Sequence, residues 1–94
     1  MFAIILTYIR PQEEIAAARQ AHLDFLADFY TAGYGIASGR KSGGDGGVII
    51  ATAPSRAILE AELAKDPFKT QGLAEYQIHE FTPGRLHPAL EGVA

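Results

Sequence analysis

Cysteine is absent from all 94 residues of the sequence. Without it the chain can form neither a disulfide framework nor a thiolate metal site, and it has no cysteine nucleophile. His22, His79 and His87 also lack the paired spacing of metal-ligating histidines. The sequence therefore predicts no metal site, and stability must come from the core and from self-association.

Positive charge and long apolar runs are also scarce. Eight Lys and Arg oppose eleven Asp and Glu, which gives a net charge of −3, and the longest basic run is the pair Arg40-Lys41. We therefore expect no nucleic-acid partner. The apolar opening has no basic flank and meets Arg10-Pro11 far short of a bilayer's width. These features predict no membrane association and a cytoplasmic protein.

Apolar residues, by contrast, are abundant for so short a chain. Counting glycine and leaving out tyrosine, about 54% of the sequence is apolar, above the 45–50% of ordinary globular proteins. The length fits one domain over residues 1–94. A small domain with surplus apolar surface is expected to cover it with a partner.

Hydrophobic periodicity predicts six elements. Phe2 to Ile9 is apolar at both parities and predicts a strand, and Pro11 to Gly33 carries an amphipathic helix that Gly33 ends. Two further strands are predicted at 34–39 and 47–53, joined by residues 40–46 with positive φ angles at Asp45-Gly46. They are followed by a helix from the N-cap Ser55 to about Lys65, a turn or short loop over 68–73, a strand over 76–81 and a tail over 82–94.

This order is the βαββαβ pattern of an α+β, ferredoxin-like fold. It implies a four-stranded antiparallel sheet with the first and third strands at its centre and both helices on one face. The other face then presents residues such as Ile5 and Ile49, or those of the opposite parity, to water. Pairing two such faces would bury them, which predicts a homodimer, with a higher oligomer left open.

His22 is the sharpest candidate for chemistry. It occupies the middle of the first helix's apolar stripe, beside Ala18, Phe25 and Leu26, where a leucine is expected. Imidazole titrates near neutrality, so His22 is a candidate general base or acid beneath a pocket. The alternative is a core histidine hydrogen-bonded within the fold.

Asp66 is the second candidate. An Asp before Pro67 commonly ends a helix, which is its structural interpretation. The topology also brings the end of the second helix and the start of the first to one end of the sheet, so Asp66 is a candidate carboxylate partner for His22.

Four strand-end residues are predicted at the same end, and two of them are arginines. Beside an apolar cleft, Arg10 and Arg40 could hold an anionic substrate group, although solvated loop charges are the alternative for each. The glycine-rich segment 39–47 continues into a strand and not a helix, which argues against phosphate binding. The candidate substrate-binding residues are Tyr8, Arg10, Ser38 and Arg40.

Several of these features together resemble the YCII-related (YciI-like) proteins: Ala21-His22-Leu23 on the first helix, the glycine-rich stretch after Ala37, Asp66-Pro67-Phe68, and Glu80-Phe81 in the last strand. The resemblance runs to about Phe81. It implies a ferredoxin-like fold, a dimeric α+β barrel, no cofactor, and a His and Asp pair proposed to be catalytic, here His22 and Asp66. Dehydrochlorination of a chlorinated hydroxyquinol is known in the family.

Three functions stay open at this stage. The first is a cofactor-free enzyme that uses His22 and Asp66 for proton transfer, in an elimination or isomerisation on a small cyclic or aromatic compound. The second is a small-molecule binding or sensing module in which His22 only hydrogen-bonds the ligand. The third is a dimeric protein-interaction module. Replacing His22 by Gln separates the first two, because glutamine keeps hydrogen bonding but is no general base.

Overall fold

The computed structural model describes residues 1–93; Ala94, the end of the predicted tail, lies outside the described residues. Its regular elements are β1 (Phe2–Tyr8), α1 (Gln12–Thr31), β2 (Gly35–Arg40), β3 (Gly46–Ala51), α2 (Arg56–Leu63), α3 (Pro67–Thr70) and β4 (Ala74–Glu80), followed by a 3₁₀ turn at Pro88–Leu90.

The four strands form one antiparallel sheet in the order β2-β3-β1-β4. The predicted α+β, ferredoxin-like fold is therefore confirmed, with β1 and β3 at the centre. Within residues 1–93, none of the helices has the length and apolar character needed to span a bilayer.

The core lies between the sheet and the helices, because one parity of β1 meets their apolar stripes. Ile4 lies opposite Ile49 on β3 and Ile78 on β4, and Ile4 is fully buried. Helices α1 and α2 complete this core with Ile15, Ala18, Phe29, Leu59 and Leu63. The opposite parity forms the open face of the sheet, which we define as Ala3, Ile5, Ala37, Val48, Ile50 and Gln77.

The structure separates Ile5 and Ile49, which the sequence placed on one face. Ile5 lies on the open face, half-buried, whereas Ile49 faces the helices and is 2% exposed. The reason is the ladder register: Ile49 is the direct partner of Ile4, and neighbouring residues of a strand point to opposite sides.

The β2–β3 connection also differs from the prediction. Its positive φ angle, +75°, belongs to Gly44 and not to Asp45-Gly46. Gly46 is required for a different reason, since a Cβ there would lie 1.8 Å from the backbone oxygen of Leu6. Glycine thus allows β3 to approach β1 at the start of its ladder.

Segment 68–73, predicted as a turn or short loop, begins with a helical turn, because α3 covers Pro67–Thr70. Pro67 supplies the first helical residue of α3, and Asp66 is the N-cap, with its side chain accepting a hydrogen bond from the Phe68 amide. Asp66 therefore begins a new helix, whereas the sequence interpretation had it ending the previous one. Ser55, by contrast, caps α2 as predicted, accepting from the Ile58 amide at 3.2 Å.

Candidate active site

Asp66 is the only charged side chain in the buried core of residues 1–93, and it is 0% exposed. Its Oδ1 accepts from the Phe68 amide at 3.0 Å and lies 2.8 Å from Nδ1 of His22, and its Oδ2 accepts from the hydroxyl of Tyr76. Burying a carboxylate is costly unless hydrogen bonds replace its water. Three donors from α1, α3 and β4 do so here.

His22 is oriented by this carboxylate. An ionised carboxylate only accepts hydrogen bonds, so Nδ1 of His22 carries the hydrogen and the neutral ring leaves its Nε2 with a free lone pair. The ring lies flat on that of Phe68, with centroids 4.0 Å apart and planes 5° apart. Tyr8 also packs against Phe68, in an edge-on arrangement with ring centroids 5.7 Å apart. The imidazole is thus fixed in both position and tautomer.

Tyr76 is the member of the cluster that the sequence did not reveal. Burial, and then the charge of Asp66, raise the pKa of Tyr76 well above its usual value of 10.0. Its hydroxyl therefore stays protonated and donates to Asp66 at all moderate pH values. One signal was available: Tyr76 shares the parity of the half-buried Ile78, which packs against the core, and a buried tyrosine hydroxyl needs a partner.

A cavity of about 240 Å³ opens above the His22 ring, between α1 and the β1–β3–β2 side of the sheet. A cavity of about 150 Å³ already accepts benzene, so this one suits a single substituted ring. Its apolar walls include side chains of the strands, α1 and α3: Leu6, Leu23, Leu26, Ile49 and Phe68. Its polar groups are those of Tyr8, Arg19, His22, Ser38 and Arg40.

Three of the four predicted substrate-binding residues, Tyr8, Ser38 and Arg40, line this cavity. The Ser38 hydroxyl accepts from Tyr30 at 2.8 Å. Arg10 does not line it, because its guanidinium turns back along α1 to Glu14, with Nε 3.0 Å from Oε2. We therefore leave Arg10 out of the proposed site.

Arg19 lines the cavity, where the sequence interpretation had placed Arg10. It lies one turn before His22 on α1, and residues three apart on a helix share a face. That spacing was the available signal. In the part of the chain that the structure describes, no group of three or more His, Asp or Glu side chains is arranged to hold a metal ion.

Comparison with protein families also assigns the chain that contains this site. A model of the YCII-related domain matches residues 1–82. The chain belongs to the YCII-related family. No curated protein matches this YCII-related chain significantly.

Among solved structures, the YCII-related chain resembles 5-chloro-2-hydroxyhydroquinone dehydrochlorinase (TftG) from Burkholderia phenoliruptrix AC1100, in complex with 2,5-dihydroxybenzoquinone. The TM-score is 0.71 at 21% sequence identity, and the match covers 89% of this chain and 96% of that chain. This likeness establishes the fold that the two proteins share.

Proposed function

We propose that this protein is a cofactor-free enzyme that transfers a proton on a small cyclic or aromatic compound, in an elimination or an isomerisation. His22 is the general base and acid, and Asp66 orients it. The observation that carries the proposal is the 2.8 Å contact between His22 Nδ1 and Asp66 Oδ1, with the histidine ring at the wall of a ring-sized cavity.

The proposed step needs only groups present in the chain. Nε2 of His22 takes a proton from the substrate, and the electron pair of that bond enters the ring system. In an elimination the leaving group departs with its bonding pair; in an isomerisation His22 returns the proton to another carbon. Asp66 stabilises the imidazolium that forms, while Tyr76 and the Phe68 amide hold the carboxylate in place.

Two further facts support this proposal. The family model of the YCII-related domain matches residues 1–82, and the fold neighbour TftG is a dehydrochlorinase whose structure holds a dihydroxybenzoquinone. The cavity here suits a ring of similar size. Tyr8, Ser38 and Arg40 then contact the substrate from the strands.

The test compares wild type with His22→Gln on 5-chloro-2-hydroxyhydroquinone and related small ring compounds. Chloride release and uptake of deuterium from solvent report proton transfer. We expect His22→Gln to lower the rate by about 10²–10⁴-fold, the usual contribution of a general base. His87→Gln is the matched control, because His87 is exposed in the tail, and it should leave the rate unchanged.

Equal rates for His22→Gln and wild type would overturn the proposal. Binding of 2,5-dihydroxybenzoquinone without turnover of any compound would favour the binding or sensing module instead. In that case His22→Gln should retain binding.

We further propose that the protein is a homodimer joined through the open face. That face carries half-buried Ile5, Val48 and Ile50 on adjacent strands, on the side of the sheet opposite the helical core. A contiguous apolar patch of this kind is typical of an interface, and a twofold axis needs only one self-complementary surface.

A further inference from the structure

The charges around the cavity are unlike those of the chain as a whole. The protein carries a net charge of −3, yet no Asp or Glu lines the cavity. The charged side chains that do line it are Arg19 and Arg40, beside the titratable His22. The wall of the candidate site thus contains no carboxylate, although acidic residues outnumber basic ones in the chain.

The two arginines also lack the carboxylate partners that four of the other six Lys and Arg residues have. Within residues 1–93, the ion pairs at 4.0 Å or less engage Arg10, Lys41, Arg56 and Lys65, each with an acid three or four positions away. Arg19 and Arg40 appear in none of them. Their guanidinium donors are therefore available for a ligand.

Arg19 and Arg40 reach the cavity from different elements. Arg19 precedes His22 by one turn of α1. Arg40 ends β2 with the same parity as Ser38, whose ladder partner is the buried Ile49, so Arg40 is on the side of the sheet that the helices cover. Two cations at one mostly apolar cavity repel each other, whereas an anion bound between them attracts both.

We propose that this cavity selects a planar oxyanion on a ring, held by the guanidinium groups of Arg19 and Arg40. The class comprises ionised ring hydroxyls and ring carboxylates, because a guanidinium donates in parallel to delocalised oxygen atoms. This inference rests on the proposed function for the identity of the site. It adds that the anionic group lies on the β2 side of the cavity, next to the proton-transferring His22.

The test measures binding by calorimetry with two pairs of probes. Benzoate is compared with neutral benzamide, and 2,5-dihydroxybenzoquinone, whose hydroxyls ionise readily, with neutral hydroquinone. The variants are Arg19→Gln and Arg40→Gln, and Arg85→Gln is the control because Arg85 lies in the tail outside the cavity. Binding is measured at low and high salt.

We expect wild type to prefer at least one anion over its neutral partner. Each cavity variant should bind that anion about tenfold more weakly, as expected for the loss of a charge-assisted hydrogen bond, with neutral probes affected less than twofold. Salt should weaken anion binding by wild type more than by the variants. Preference for the quinone alone assigns a ring oxyanion, and preference for benzoate alone assigns a carboxylate.

Equal binding of anionic and neutral probes by wild type would overturn the inference, as would unchanged anion binding in both cavity variants. Failure of the proposed function has a different signature, because His22→Gln should keep anion binding while losing turnover. Full turnover in His22→Gln together with weak binding in the arginine variants would remove the proton-transfer role and leave the anion site standing.

Discussion

Two neighbouring residues of β1 meet very different surroundings. Ile4 points to the helices and is 0% exposed, whereas Ile5 points to the open face and is only half-buried. The covered face also holds the buried polar cluster of His22, Asp66 and Tyr76, while the centre of the open face carries Ile5, Val48 and Ile50. The difference shows that residues 1–93 build a core and a candidate site on one face of the sheet, and the proposed homodimer would cover the other.

Truncating the two isoleucines separately should give the largest contrast. Ile4→Ala removes buried methyl groups and leaves a cavity, so we expect it to lower the free energy of unfolding by about 2–5 kcal/mol. Ile5→Ala should cost less, and its cost should fall as protein concentration is lowered. Denaturant titration at several concentrations measures both. Equal, concentration-independent losses would mean that the two faces do not differ.

A charge on the open face should change assembly more than folding. We expect wild type at micromolar concentration to scatter light with about twice the chain mass of 10.1 kDa, and Ile50→Lys to scatter as a monomer. Ala16→Lys, which adds the same charge at an exposed position of α1, is the control. A monomeric wild type would contradict the homodimer.

The polar cluster of the covered face is tested by Tyr76→Phe. This variant leaves Asp66 Oδ2 buried with one donor fewer, so we expect a loss of about 1–3 kcal/mol at neutral pH. Because the pKa of Tyr76 is raised in the folded state, wild type should lose stability as pH rises above 10.0, where the unfolded tyrosine ionises and the folded one does not.

Tyr76→Phe has no phenol to ionise at this position. The difference in unfolding free energy between wild type and Tyr76→Phe should therefore narrow above pH 10.0. Tyr30→Phe is the control, because Tyr30 is exposed and bonds only Ser38 among the described residues. A gap that stays constant from neutral to strongly alkaline pH would rule out the buried, protonated phenol.

The pairing of His22 with Asp66 can be followed without any substrate. We expect the NMR titration of His22 to change in Asp66→Asn, because the charge beside Nδ1 is removed, while the titration of exposed His87 stays as it is. Identical His22 titrations in the two proteins would remove Asp66 from the proposed site.

The smallest effect is expected from the tail, which belongs to neither face. Leu86 and Leu90 are half-buried there, so truncation after Phe81 should lower the melting temperature by a few degrees. An unchanged melting temperature would mean that the tail adds nothing to stability.

Much of the candidate site was predictable because its signals are local. The position of His22 on an apolar helical stripe follows from a period of 3.6 residues, and Asp66-Pro67-Phe68 marks a chain reversal in any context. The strand order followed from the handedness of the crossovers. Arg10 was the exception: Glu14, four positions later in the first turn of α1, takes its guanidinium, and Arg10 does not line the cavity.

The sequence by itself determined the elements, the apolar stripe that carries His22, and the presence of Asp66 near a helix end, since each depends on residues a few positions apart. Only the tertiary structure decided that Asp66 caps α3, that Tyr76 donates to it, and that Arg19 and Arg40 share one cavity. These contacts join residues from separate elements. Their geometry is set by ladder register and helix packing, where a shift of one residue turns a side chain to the other face.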